Sequence, residues 1–243
     1  MTRIGIIGAA GRMGREISAA LAEADRAELA GGADEGDDIA ALARESDVLV
    51  DFSAPAALAA NLAAAARAGV GIVVGTTGLD GGHERLIEDA AARIAVLQSA
   101  NMSLGVNLLA YLVREAAARL GPDWDVEILE MHHRAKVDAP SGTALLLGRA
   151  AAAGRGVDLD AVSDRGRDGI TGARDAGHIG FASLRGGSVA GDHQVILAAE
   201  GERIELGHRA ESRAIFARGA VKAALWLAGK PAGRYAMEDV LGL

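Results

Sequence analysis

"RIGIIGAAGRMGREISAALAEA", Arg3 to Ala24, decides the fold. It opens on an apolar run of strand length, "RIGII", and closes on a stretch, 12 to 24, with the spacing of an amphipathic helix. Between them Gly8, Gly11 and Gly14 stand at intervals of three. A backbone without Cβ atoms lets a pyrophosphate approach there, and the start of a helix offers unpaired N–H groups and a partial positive charge. The spacing is G-x-x-G-x-x-G rather than G-x-G-x-x-G, and alone it also suits a tight turn with close helix packing. Asp34 tips the reading toward a dinucleotide. It ends the second apolar run, about twenty residues past the last glycine, where an acid holds a ribose diol.

The alternation continues outward from this unit. "AELAGGA" (27 to 33), "DVLVDF" (47 to 52), "GIVVG" (71 to 75) and "IAVLQ" (94 to 98) read, with the first, as strands buried on both faces. Stretches 38 to 45, 55 to 68 and 83 to 92 between them have helical spacing. This pattern predicts an α/β protein with a doubly wound parallel sheet. "GTTG" (75 to 78) and "SANMS" (99 to 103) close strands on the carboxyl edge, where such sheets bind ligands. Three loops converging on one crevice favour a bound nicotinamide.

Beyond a helix at about 105 to 120 the pattern changes. "DVEILEMHH", "HIGFASLR", "HQVILAAE" and "RIELGHR" read as strands, with one helix, about 141 to 153, among them. That suits a separate sheet covered on one face. The segment 154 to 177, rich in Gly, Arg and Asp, reads as a mobile loop, and a last helix, Arg213 to Ala228, as a return to the first domain.

Composition narrows the class. The 243 residues are 50% hydrophobic but only 3% aromatic, so the core is built from Ala, Val, Leu and Ile, and oligomerisation would aid stability. A formal net charge of -8 argues against nonspecific nucleic-acid binding and requires local cations for any anionic ligand. With no cysteine, disulfides, thiolate catalysis and Cys-based metal sites are excluded, and a reducing cytoplasm fits. The first apolar run is too short for a signal sequence, and the charge-free stretch Ile94 to Val113 holds Gln98, Ser99, Asn101, Ser103 and Asn107, too polar for a membrane span. A soluble protein is expected.

The densest chemistry lies in "EMHHRAKVDAPSGTALLLG", Glu130 to Gly148. On a strand His132 and His133 point to opposite faces, which argues against a shared metal ion. After Pro140, Ser141 reads as an N-cap, and Gly142 and Thr143 leave N–H groups at the helix start that can hold an anion. Arg134 and Lys136 add positive charge, and a histidine exchanges protons near neutral pH. A solvated charged loop before a capped helix would read the same way.

The chain resembles the dihydrodipicolinate reductase family, whose signature E-x-H-H-x-x-K-x-D-A-P-S-G-T-A stands unbroken at Glu130 to Ala144. "GAAGRMGR", "GTTG", the run Asn101 to Asn107, "GHIGFASLRGG" and "SRAIFARGAVKAALWLAGK" follow in family order, so the resemblance covers nearly the whole chain. It implies a Rossmann-like dinucleotide domain, 1 to 103 plus 213 to 243, and an inserted α+β domain, 104 to 212, for substrate binding and oligomerisation. It also implies reduction of a cyclic unsaturated dicarboxylate by NADH or NADPH, a cytoplasmic step of lysine and diaminopimelate biosynthesis, in a homotetramer.

Carried over by position, the resemblance implies that His132 and Lys136 are the proton-handling pair and that His133, Ser141, Gly142 and Thr143 bind substrate. Gly8, Ala9, Ala10, Gly11, Arg12, Met13 and Asp34 contact the cofactor, as do Gly75, Thr76, Thr77, Ser99, Ala100, Asn101 and Met102. Two departures stand out: the region after Asp34 is shorter than in many members, and Met102 replaces an aromatic common at the nicotinamide end. Glu35 directly after Asp34 would repel a 2'-phosphate, which points to NADH over NADPH. An amino-acid or hydroxy-acid dehydrogenase would account for the glycines but not for the His-His-Lys and Pro-Ser-Gly-Thr string. A dinucleotide-sensing regulator would not need the proton donors.

Overall fold

The computed structural model describes residues 1–243, which form two compact units, Met1–Leu104 with Ala214–Leu243, and Gly105–Arg213. The first begins β1 (Thr2–Ile7), α1 (Arg12–Ala22), β2 (Ala27–Ala33), α2 (Ile39–Glu45), β3 (Val48–Asp51), α3 (Leu58–Ala68), β4 (Gly71–Val74), α4 (Gly81–Ala91) and β5 (Ala95–Gln98). Strands alternating with helices need right-handed crossovers, and the result is a parallel sheet. Ile4, Ile6, Val48, Val50, Ile72 and Val96 are fully buried in it, with helices against both faces. β2 departs from the expectation of a strand buried on both faces. It lies at the sheet edge with Glu28, Leu29 and Gly32 exposed.

In the second unit α5 (Leu104–Leu120) leads to β6 (Asp125–His132), α6 (Gly142–Arg155), α7 (Leu159–Val162), β7 (Ser163–Asp164), β8 (Ile179–Arg185), β9 (Gly191–Ala199) and β10 (Glu202–Ala210). The five strands lie in the order β10, β9, β6, β8, β7, with β6 parallel to β8 and antiparallel to β9. Burial alternates along β6 and β9, as it must when one face of a sheet is covered. Val126, Ile128, Val195 and Leu197 meet α5 and α6 on that face.

The stretch 154 to 177, read from sequence as a loop, instead contains α7 and β7, and its remainder is tied to β6. Arg174 bonds Asp125 at 2.8 Å and Glu127 at 2.9 Å, and Arg167 grips Glu127 with both terminal nitrogens at 3.0 and 2.9 Å.

The chain then returns through α8 (Ala214–Leu227), β11 (Gly233–Tyr235) and α9 (Met237–Leu241). β11 adds a sixth strand beside β5, giving the order β11, β5, β4, β3, β1, β2. None of the helices is long and apolar enough to cross a membrane.

A core poor in aromatics is closed by bringing backbones together. A Cβ on Gly154 of α6 would stand 2.3 Å from the Arg114 carbonyl oxygen of α5, and one on Gly219 of α8 would stand 1.8 Å from that of Met102. Replacing a helical glycine by alanine gains about 1 kcal/mol of helix propensity. Overpacking against a backbone atom that cannot swing away costs about 1–3 kcal/mol or more. The clash wins, so Gly219→Ala is expected to lower the unfolding free energy in urea, and an unchanged or raised midpoint would contradict this packing.

Candidate active site

In the first unit the cofactor-matching residues collect at the carboxyl edge of the parallel sheet. The ladder runs one residue past each strand: Gly8 N–H bonds the Ala33 carbonyl at 2.8 Å, Gly75 N–H that of Asp51 at 2.9 Å, and Ser99 N–H that of Val74 at 3.1 Å. Gly8, Asp34, Gly75 and Ser99 are thereby fixed along one edge. Gly8 has φ +82°, and a Cβ there would lie 2.7 Å from the Phe52 carbonyl oxygen. At Gly14 a Cβ would lie 2.3 Å from the Gly8 carbonyl oxygen. Two of the three glycines are therefore required by the turn and the helix packing themselves.

The third, Gly11, is the N-cap of α1 and supplies no side-chain cap, whereas α2, α4 and α6 are capped by Asp38, Asp80 and Ser141. The first-turn amides at Arg12 and Met13 thus face outward at the positive end of the helix dipole, the arrangement a pyrophosphate fits. Asp34 accepts the Ala10 N–H at 3.1 and 3.0 Å, so the ribose-matching carboxylate also holds the glycine loop in shape.

Other matching residues are structural in part. Gly75 is packed on the Phe52 ring, and the buried Thr76 hydroxyl lies 3.4 Å from Asp51. Ser99 and Asn101 bond each other, Ser99 Oγ donating to the Asn101 carbonyl at 2.8 Å. Thr77 and Ala100 are exposed. The Met102 side chain is buried in the apolar core, 2% exposed, so its thioether is not on the open edge where an aromatic substitute was expected to pack.

The second unit gathers His132, Ser141 and Arg185 around one carboxylate. Period-two alternation along β6 places Glu130 and His132 on the same, covered face, 1% and 8% exposed. His132 Nδ1 lies 2.6 Å from Glu130 Oε2. Cross-strand Arg185 on β8 donates to both carboxylate oxygens, at 2.9 and 2.8 Å, and the Ser141 N–H donates to Oε1 at 3.2 Å. Burial alone would raise the Glu130 carboxyl, but hydrogen bonds from Arg185, His132 and Ser183 outweigh it and hold the group below its ordinary value, ionised.

Ser141 caps α6 as its sequence indicates, accepting the Ala144 N–H at 3.2 Å. Its hydroxyl also lies 3.2 Å from His193 Nε2 on β9. The His193 and His132 rings stand edge to face with centroids 5.0 Å apart. Burial, then the neighbouring His132, drives His193 down to about 4, so it stays neutral near pH 7. Gly142 is exposed with open space where a Cβ would stand, which leaves room for a ligand over the helix start.

Lys136 reaches Asp138 at 2.7 Å, and the Asp138 carbonyl accepts from Arg185 at 2.6 Å, linking the lysine loop to the Glu130 cluster. His133 lies past the end of β6 and meets Arg213 at 3.3 Å. The cluster therefore unites His132 and Ser141, with Lys136 joined through Asp138, while His133 stands on a different contact. Glu130, Arg185 and His193 carry no role in the sequence reading. For Glu130 the signal was present: an acid two residues before a histidine on a strand shares its face.

A Rossmann-like sheet with an open glycine turn, and a second unit built around a histidine suited to proton exchange, are together the equipment of an NAD(P)H-linked oxidoreductase. Two family models divide the sequence between them, "Dihydrodipicolinate reductase, N-terminus" over residues 2–102 and "Dihydrodipicolinate reductase, C-terminus" over 105–241. The chain belongs to the dihydrodipicolinate reductase family. It is 61% identical to the 4-hydroxy-tetrahydrodipicolinate reductase of Zymomonas mobilis, covering 99% of this chain and 97% of that protein. It is 54% identical to that of Afipia carboxidovorans with the same coverage. Among solved structures, the dipicolinate-bound dihydrodipicolinate reductase of Paenisporosarcina sp. TG-14 superposes with a TM-score of 0.81 at 25% identity, covering 98% of this chain and 99% of that one. A probable dehydrogenase of Thermotoga maritima, 14% identical at a TM-score of 0.62 over 98% of this chain and 92% of its own, shares the fold.

The depressed His193 makes stability pH-dependent. Between its unfolded value near 6.5 and its folded value near 4 the unfolded chain binds a proton that the folded chain refuses, so stability falls as pH drops through that window. The full contribution is up to about 3 kcal/mol. His208, also lowered by burial, adds to the same slope. Urea titrations of His193→Asn should show a shallower loss of stability from pH 6.5 to 4 than the parent protein. Parallel curves would refute the buried neutral imidazole.

Proposed function

We propose that this protein reduces 4-hydroxy-tetrahydrodipicolinate (dihydrodipicolinate) to tetrahydrodipicolinate with NADH or NADPH, a step of lysine and diaminopimelate biosynthesis, in the cytoplasm. The observation that carries the reading is the Glu130–His132 pair beside the Ser141-capped start of α6, in a chain 61% identical to a reductase of that name.

The reduced nicotinamide, when bound, supplies the hydride; Gly8 to Met13 would hold its pyrophosphate, Asp34 its ribose, and the loops at Gly75 to Thr77 and Ser99 to Met102 its nicotinamide end. One substrate carboxylate sits on the N–H groups of Gly142 and Thr143 with the Thr143 hydroxyl. Charge-assisted hydrogen bonds of this kind contribute about 1.5–3 kcal/mol each. Lys136 binds carboxylate as it now binds Asp138, and it stabilises developing negative charge; His133 helps place the ring. Loss of water from the 4-hydroxy compound gives the conjugated imine, hydride addition to that imine leaves an enamine, and His132 completes the reduction by protonating the enamine carbon. An imidazole is suited to this because it can hold a proton on one ring nitrogen while exchanging another through the second.

The acids Asp34, Glu35, Asp37 and Asp38 crowd the end of β2, and Asp37 accepts the Asp34 N–H at 2.8 Å. A 2'-phosphate there would face concentrated negative charge that Arg12 only partly offsets, which supports NADH as the preferred cofactor. The open face of the second sheet supports a homotetramer assembled through this unit. Leu129, Met131 and Leu184 line a depression of about 450 Å³ there, rimmed by Asp192, Glu205 and Arg209.

Supplied with the product of dihydrodipicolinate synthase, the purified protein should oxidise reduced cofactor, with kcat/KM higher for NADH than for NADPH. His132→Gln should lower kcat by roughly 10² to 10⁴ with the KM for NADH nearly unchanged. No cofactor oxidation, or a His132→Gln variant of normal kcat and reduced thermal stability, would contradict the activity or the proton assignment respectively. Light scattering in solution should give the mass of four chains; a monomer would rule out the assembly.

A further inference from the structure

A proton donor such as His132 works only if its ring is aimed. Glu130 stands directly behind it. An ionised carboxylate only accepts hydrogen bonds, so the 2.6 Å contact requires the proton on His132 Nδ1. Nε2, the nitrogen that exchanges a proton with a ligand, is then the far one. It points toward Gly191, where a Cβ would come within 3.0 Å of it, so any side chain at that position would crowd the tip of the ring.

The same carboxylate cannot drift. Arg185 holds both of its oxygens, and Ser141, the cap of the helix that anchors substrate, donates its N–H to Oε1. One group thus fixes the tautomer of the donor and the position of the anion-binding helix start.

We propose that Glu130 is a positioning residue for the reduction: clamped by Arg185, it orients His132 as the Nδ1–H tautomer with Nε2 turned away from the carboxylate and free of it to exchange the proton, and it ties that donor to Ser141 so that both are set by one carboxylate. This inference rests on His132 as the donor. Its chemistry moves no electrons; it decides which ring nitrogen gives up the proton.

Glutamine at 130 separates this role from packing because it has the same shape with one oxygen replaced by a donor. If the amide nitrogen takes the Oε2 side it confronts His132 Nδ1, and if it takes the Oε1 side it confronts Arg185 and the Ser141 N–H. Neither orientation accepts all the bonds that the carboxylate accepts.

The test is a double-mutant cycle on the purified enzyme with Glu130→Gln, His132→Gln and the pair. It is accompanied by nitrogen-15 spectra of the His132 imidazole in the unaltered protein at alkaline pH, which need no variant to fold. Glu130→Gln should lower kcat by at least about 10-fold and by no more than His132→Gln does, since it acts through that acid, with the KM for NADH unchanged. Added to His132→Gln it should change kcat by no more than about twofold, because its effect passes through the missing ring. The neutral ring should carry its proton on Nδ1. Losses that multiply in the double variant, a Glu130→Gln enzyme with normal kcat, or a neutral ring protonated on Nε2 would each overturn the proposal. If His132→Gln itself keeps normal kcat, the donor assignment fails, and the spectrum still decides whether Glu130 sets the tautomer.

Discussion

A carboxylate with 1% of its surface exposed survives in a protein only when donors replace the water it has lost. At Glu130 these come from three elements at once: His132 on the same strand, Arg185 and Ser183 on β8, and the backbone of Ser141 at the start of α6. Removing any one would leave buried charge incompletely paired, a loss that typically exceeds what the pair contributes in net stability. The central strand of the second sheet, its neighbour β8 and the helix α6 are therefore held in one mutual arrangement. The acid's contribution is better described as specificity of geometry than as binding energy.

That arrangement was partly legible in the sequence. Alternation along "DVEILEMHH" identified β6 and its two faces, and a serine after proline identified the cap of α6, because both are local effects of backbone geometry. The strand–glycine–helix opening identified the Rossmann-like sheet for the same reason. Arg185 and His193 were out of reach. They meet Glu130 through strand register across 55 and 63 positions of chain, and register depends on how β8 and β9 pair. β7 and β11, of two and three residues, are too short to carry a period, and α7 lay hidden in a polar stretch. β2 departs from a buried strand because its alanines and glycines, which suit a buried strand, are equally tolerated at an edge. Met102 belongs to the core because Gly219 lets α8 settle on its carbonyl, a contact over a hundred residues away in the chain.

The low aromatic content and the glycine contacts are two sides of one packing solution. With few rings to fill space, helices and strands approach until backbone meets backbone. Gly219 against the Met102 carbonyl, Gly14 against the Gly8 carbonyl and Gly154 against the Arg114 carbonyl of α5 are such points of contact. Dense contact between rigid main-chain surfaces leaves side chains little room to rearrange. A site that depends on hydrogen bonds of 2.6 to 3.2 Å needs such stiffness beneath it.

The Lys136–Asp138 pair gives the second unit an occupant of its own. Its carboxylate already satisfies the lysine, so an arriving anion exchanges one ion pair for another and gains only the difference between them. A weakly charged or singly anchored molecule finds little advantage in that exchange, whereas one carrying two carboxylates can engage the start of α6 with one while the other competes for the ammonium. If Lys136 binds substrate as proposed, the aspartate sets a threshold, turning a cation open to any passing anion into one that favours a guest able to grip in two places.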